Sequence, residues 1–166
     1  MQNKTDFAKL TTEFLIKENK TITFMESCTS GLLASKLTDT EGASAIFKGS
    51  LVTYSNEMKI SAGVPSKIID KYGVYSAECA KAMADTVQKI YGTDIAVGIT
   101  GTTGNVDPLN NDSVKGQAFF CIKIKDKSYD FFIEENVSAL SRMEIKQLYA
   151  QKVFESLFKL LEQKDA

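Results

Sequence analysis

The sequence predicts a three-layer α/β/α sandwich built on a mixed sheet, and three observations carry that prediction. Helical and strand-like stretches alternate along the chain. One strand, "TDIAVGIT" (residues 93–100), is apolar nearly throughout, the pattern of a strand covered on both faces. "QAFFCIKIK" and "KSYDFFIEE" flank an Asp126-Lys127 turn, as the arms of an antiparallel hairpin would. The chain has 166 residues, 43% of them hydrophobic. That is enough for one packed core and too little for two ordinary domains, so residues 1–166 are expected to form a single domain.

Each element has its own warrant. Phe7, Leu10 and Phe14 recur at helical spacing within residues 5–19, and "TITFM" after them reads as a buried strand. "ESCTSG" turns that strand into the helix "LLASKL". "TEGASA" is a small-residue turn. "FKGSLVTYS" (47–55) is a second strand, with Tyr54 on the face of Val52 and with Thr53 and Ser55 on the other; Lys59 lies just past its end. Pro65 starts a short helix through Tyr72. Ser76 caps a longer helix carrying Ala80, Met83, Val87 and Ile90, which Gly92 closes. "GTTGNVDPLNNDSVKG" is the longest loop, and a loop of that length in a compact chain is more often functional than idle. A last helix, from about Ser141 to Leu161, carries Ile145, Leu148, Tyr149, Val153, Leu157, Leu160 and Leu161 on one stripe, with Ser141 and Glu144 spaced as a capping box.

Composition narrows the function. Twenty basic residues stand against 21 acidic ones. That balance gives no bulk attraction to nucleic acid or membrane, so neither partner is expected and a small polar ligand suits the chain better. Cys28, Cys79 and Cys121 are odd in number and widely spaced, which fits reduced cytoplasmic thiols rather than a disulfide scaffold or a zinc site. No signal core and no bilayer-length apolar run is present, so a soluble cytoplasmic protein is expected. The chain contains no histidine. That excludes Ser-His-Asp and Cys-His catalysis, HExxH zinc hydrolysis and histidine phosphotransfer. Neither GxxxxGK[ST] nor GxGxxG occurs. "GASAI" fails as a nucleophile elbow, because its fifth position is Ile46 and an acidic turn precedes it.

Two stretches remain as candidate chemistry. In "ESCTSGLL" the amides of about Cys28 to Gly31 open a helix directly after a strand, where the dipole favours a phosphate or an oxyanion. Ser27 or Thr29 as an ordinary N-cap is the plainer reading, and Cys28 as a nucleophile is the least favoured. In "GASAIFKGSLVTYSNEMK" (42–59), Ser44 has Tyr54 and Lys59 within fifteen positions. Without histidine, lysine has to be the base. A lysine at its ordinary pKa is only about 0.1% neutral at pH 7.5, so a working base needs about 4 kcal/mol of help, of the kind that burial beside a cation such as Arg142 supplies. Spacing alone favours a turn serine, a packing tyrosine and a solvated lysine.

"ESCTSGLLASKL", "GASAIFKGSLVTYSNEMK", "GVYSAECAKAMA" and "AVGITGTTG" occur in the order found in the CinA C-terminal domain family, which the chain resembles from about Thr21 to Leu161. The resemblance implies a stand-alone nicotinamide mononucleotide deamidase, a Ser/Lys amidohydrolase of pyridine nucleotide recycling with no metal and no cofactor. It implies Ser44 as nucleophile, Lys59 as general base and Tyr54 as a hydrogen-bonding partner in the same proton network. Thr100 then helps hold the site, and Arg142 binds phosphate or depresses the lysine pKa. The amides of Ser27, Cys28, Thr29, Ser30 and Gly31, together with Gly101, become substrate contacts. A homodimer or larger assembly is also implied, without the N-terminal molybdopterin-binding-like domain of some members. Four positions depart from the family pattern: Ser30 replaces a glycine, "GTTGN" (101–105) replaces GIAGP, Val114-Lys115 replaces Pro-Val, and Ser141 replaces an acid. These departures keep two alternatives open, a non-catalytic nucleotide- or partner-binding module linked to competence or DNA repair, and an amidase for another small amide.

Overall fold

The computed structural model describes residues 5–104 and 106–164. In chain order the elements are α1 (Phe7–Lys17), β1 (Ile22–Glu26), α2 (Leu32–Thr38), a single 3-10 turn (Ala43–Ala45), β2 (Phe47–Val52), α3 (Asn56–Ala62), α4 (Ser66–Tyr72), α5 (Ala77–Tyr91), β3 (Ile95–Gly101), β4 (Gln117–Ile124), β5 (Lys127–Glu134) and α6 (Arg142–Lys164). The strands form one sheet in the order β2-β1-β3-β4-β5. β1 runs parallel to both β2 and β3, and β4 and β5 are antiparallel additions. The mixed three-layer architecture expected from the sequence is therefore present.

Two cores separate the layers, because successive strand residues face opposite sides. Ile22 and Phe24 of β1 join a cluster with α1, α2 and α6 that includes Leu15, Leu33, Val153 and Leu157. Met25 of β1 and Ala96 of β3 join Cys79, Met83 and Val87 of α5 on the other side. α5 lies unusually close to the sheet at Gly98, where a Cβ would stand 2.2 Å from the Ala80 carbonyl oxygen. Any side chain at that position would push the helix off the strand.

The caps agree with the sequence. Ser76 accepts from the Cys79 amide and Gly92 closes α5 with φ +62°. Ser141 and Glu144 cap α6 reciprocally, the Ser141 amide donating to Glu144 Oε2 at 2.7 Å and the Glu144 amide to Ser141 Oγ at 3.3 Å. The hairpin turn is Lys125-Asp126, one residue before the expected place, because Ile124 pairs with Lys127 and Lys125 takes φ +54°.

One expectation fails in a way that matters. The second strand ends at Val52, not Ser55, and the chain turns at once into α3, a helix the sequence did not reveal. Ser55 is its N-cap, accepting from the Met58 amide at 3.1 Å, and Lys59 sits on this helix rather than in a connection. Among the described residues, no helix is long and apolar enough to cross a membrane.

Candidate active site

Because β1, β2 and β3 run parallel, their carboxyl ends lie on one edge of the sheet. The chain leaves β1 toward β2 on one side and returns to β3 on the other. A crevice at such a switch point is where open α/β sheets bind ligands. A cleft of about 770 Å³ opens there, walled by Ser27 and Cys28 after β1, by Tyr54 to Glu57 and Lys59 after β2, by Val74 and Tyr75 before α5, by Gly101 to Gly104 and Val106 to Asn110 after β3, and by Arg142.

Lys59 forms the cleft's floor. It is 1% exposed, and its Nζ donates to Ser27 Oγ at 3.1 Å and to the Thr53 carbonyl at 2.9 Å. Burial pushes its pKa below the ordinary value of 10.5, with Cys79, Cys28 and Asp107 acting in the other direction. The lowering comes from desolvation; the sequence had offered burial beside Arg142, and of the two only burial is among the causes. Lys59 thus has the environment a neutral amine needs, and a serine hydroxyl within hydrogen-bonding reach.

That serine is Ser27, not Ser44. Ser44 is exposed in the 3-10 turn before β2. Lys59 follows the other end of the same strand, which at about 3.3 Å per residue separates the two by roughly 20 Å. A straight strand between two residues keeps them apart, whatever their separation in sequence. The sequence reading did not pair Ser27 with Lys59, although a signal was present: Ser27 follows the end of a buried strand just as Thr53 and Lys59 follow a second one. If those strands are parallel, their ends meet.

Glu26 changes the reading of the "ESCTSG" turn. Its carboxylate is fully buried and accepts from the Gly31, Leu33 and Ala34 amides, each at 3.0 Å, and from Thr29 Oγ1 at 2.7 Å. The dipole end of α2 is therefore occupied by the protein's own anion, and the Gly31 amide and the Thr29 hydroxyl are not free for a phosphate. The Ser30 amide donates to the Ser27 carbonyl. Only the amides of Cys28 and Thr29 remain from the expected set, lying against the Cys28 sulfur. Burial drives the Cys28 thiol up to about 12, so it is not an anionic nucleophile.

Ser30 points away from the cleft into solvent and has φ +47°, a left-handed conformation that suits glycine. Its Cβ costs backbone strain rather than ligand space. We expect Ser30→Gly to stabilise the fold by about 1 kcal/mol, raising Tm by roughly 2–4 °C in calorimetry. An unchanged or lower Tm would refute that account.

The remaining predicted residues divide. Tyr54 and Arg142 meet at the rim, the Arg142 Nη2 donating to the Tyr54 hydroxyl, so Tyr54 stands outside the Ser27–Lys59 pair. Arg142 lies over Gly104, where a Cβ would come within 2.5 Å of its Nη1. Thr100 does not line the cleft. Its hydroxyl donates to the Val74 carbonyl at 3.0 Å and holds that wall in place, while Gly101 does line it. In the substituted "GTTGN" segment Thr102 is anchored by Gln117, Gly116 and the Tyr149 hydroxyl, and Asn105 lies outside the described residues. The sequence did not single out Tyr75, Asp107, Asn110 or Asn56. Asp107 accepts from the Tyr75 hydroxyl at 3.0 Å, from Asn110 Nδ2 at 2.6 Å and from the Leu109 amide at 2.9 Å, and Asn56 Nδ2 ties Asn110 to α3 at 2.9 Å.

A buried lysine on a serine, at the carboxyl ends of parallel strands in this three-layer sheet, defines the class of protein. The profile described as the CinA C-terminal domain matches residues 4–161, and the chain belongs to that family. It is 40% identical to the protein MG115 homolog of Mycoplasma pneumoniae over 93% of its own length and 97% of that relative's. It is 43% identical to a CinA-like protein of Dictyoglomus thermophilum, but there it spans 25% of the longer protein and 62% of itself. Among solved structures, a CinA superfamily protein from Klebsiella pneumoniae superposes with TM-score 0.88 at 20% identity, covering 96% of this chain and 99% of that one. The competence/damage inducible protein CihA from Agrobacterium tumefaciens gives 0.84 at 24% identity over 95% and 96% of the two chains. These two superpositions speak to the fold alone.

Proposed function

We propose that the protein hydrolyses the carboxamide of nicotinamide mononucleotide to nicotinate mononucleotide and ammonia, with Ser27 as nucleophile and Lys59 as general base. The observation that carries this is the buried Lys59 amine, 3.1 Å from Ser27 Oγ at the floor of a nucleotide-sized cleft. The choice of substrate is the one that resemblance to the CinA C-terminal domain family implies, and membership of that family supports it.

Neutral Lys59 takes the Ser27 hydroxyl proton as Oγ bonds to the carboxamide carbon. The developing oxyanion meets the Cys28 amide, next in the chain after the nucleophile. The Lys59 ammonium then gives its proton to the amide nitrogen as the C–N bond breaks, releasing ammonia and leaving an ester on Ser27. Water, deprotonated by Lys59, cleaves that ester, and the proton returns to Oγ. Arg142 at the rim offers a planar, permanently charged donor for the phosphate.

Ammonia release from nicotinamide mononucleotide by the purified protein, with and without a chelator, tests the reading. We expect release to be insensitive to the chelator. We also expect kcat/KM to rise with pH as Lys59 loses its proton, with a midpoint below the ordinary 10.5 because burial lowers it. The same lowering has a sign in stability. Between the lowered pKa and 10.5 the unfolded chain holds a proton that the folded chain does not, so stability falls as pH drops through that window. No ammonia from folded protein, or a midpoint at or above 10.5, would overturn the assignment.

A further inference from the structure

We infer that Asp107 is a specificity-determining residue that reads the positive charge of the substrate's ring, an inference that rests on the deamidase reading and goes beyond it. Among the described residues lining the cleft, four carry ionisable charge: Glu57, Lys59, Asp107 and Arg142. Lys59 must be neutral to act as a base, which leaves Arg142 at the rim as the cation, with Asp107 and Glu57 as anions. Such a cleft suits a ligand that is anionic at one end and cationic nearer the reacting amide. A pyridinium mononucleotide has that pattern.

Asp107 is the better placed of the two anions. Glu57 is exposed on the outer turn of α3, whereas Asp107 is fixed by Tyr75, Asn110 and the Leu109 amide. Those same hydrogen bonds hold its carboxyl below the ordinary carboxylate range, so it is charged at neutral pH. Asp107 lines the same cleft as Ser27 and Lys59. Ser27, Tyr75 and Asp107 line one cleft, so a carboxamide held on Ser27 brings its ring into the space this carboxylate borders. An oriented anion there favours a cationic ring over a neutral one of the same shape.

Calorimetric binding on the Ser27→Ala background separates the possibilities. The two probes are nicotinamide mononucleotide and benzamide riboside 5′-phosphate, which keeps the carboxamide, ribose and phosphate on an uncharged ring. We expect Asp107→Asn to weaken the pyridinium nucleotide by about tenfold and the neutral analogue by less than about twofold. Tyr75→Phe, which removes one support but leaves the charge, should shift both ligands alike and preserve their ratio. Equal losses for the two probes with Asp107→Asn, or no loss for the pyridinium nucleotide, would overturn the inference while leaving the deamidase reading intact. Failure of the parent background to bind either probe would sink both.

Discussion

Ser27→Ala and Lys59→Met should each reduce ammonia release from nicotinamide mononucleotide by on the order of 10⁴-fold, the scale of losing a nucleophile or its base, while Ser44→Ala stays within about twofold of the parent. Steady-state rates of the three variants, each checked for an intact fold by circular dichroism, decide this. The contrast discriminates because both serines precede Lys59 in the sequence and only one lies beside it. Lys59→Met keeps the volume of a side chain that is 1% exposed, so loss of activity there reports the amine rather than a cavity. A collapse of activity in Ser44→Ala with Ser27→Ala unaffected would overturn the site as described. Equal activity in all three would remove the Ser–Lys mechanism altogether.

Glu26→Ala should destabilise the fold by about 3–4 kcal/mol. It would leave the Gly31, Leu33 and Ala34 amides and the Thr29 hydroxyl without their acceptor in a place shielded from water. Glu26→Gln should cost less, about 1–2 kcal/mol, since one oxygen remains while its new amide group faces a donor. Urea unfolding with an unchanged slope reads both values. Because the turn from Glu26 to Gly31 also carries Ser27, the alanine variant should lose activity beyond what its folded fraction explains. A change of less than about 1 kcal/mol in Glu26→Ala would show that the carboxylate is not what holds the start of α2.

The same two residues mark where the sequence was legible and where it was not. β1 and β3 declared themselves by apolar runs, and α1, α5 and α6 by period and caps, because each has a long, regular face to bury. α3 was hidden because its pattern is inverted. Met58 and Ile60 are 54% and 42% exposed, while the residue turned inward between them is a lysine. Periodicity detects apolar burial, and a helix that turns an amine inward gives it nothing to detect. The end of α2 looked like an anion site because its amides, glycine and position after a strand are all those of one. What the pattern did not disclose was that the preceding strand ends in a carboxylate that turns back to fill it.

By itself, the sequence determined that the fold is a mixed three-layer sandwich, that any proton transfer proceeds without histidine, and that Lys59 is the residue to explain. It also established the resemblance that family membership bears out. The tertiary structure alone decided which serine Lys59 meets, that burial lowers its pKa without help from Arg142, and that Tyr54 joins Arg142 at the rim. The physical reason is geometric. Composition and local pattern govern what each segment becomes, but a proton is exchanged over about 3 Å, and proximity on that scale is set by which strand ends the parallel pairing of β1 with β2 and β3 brings to the same edge.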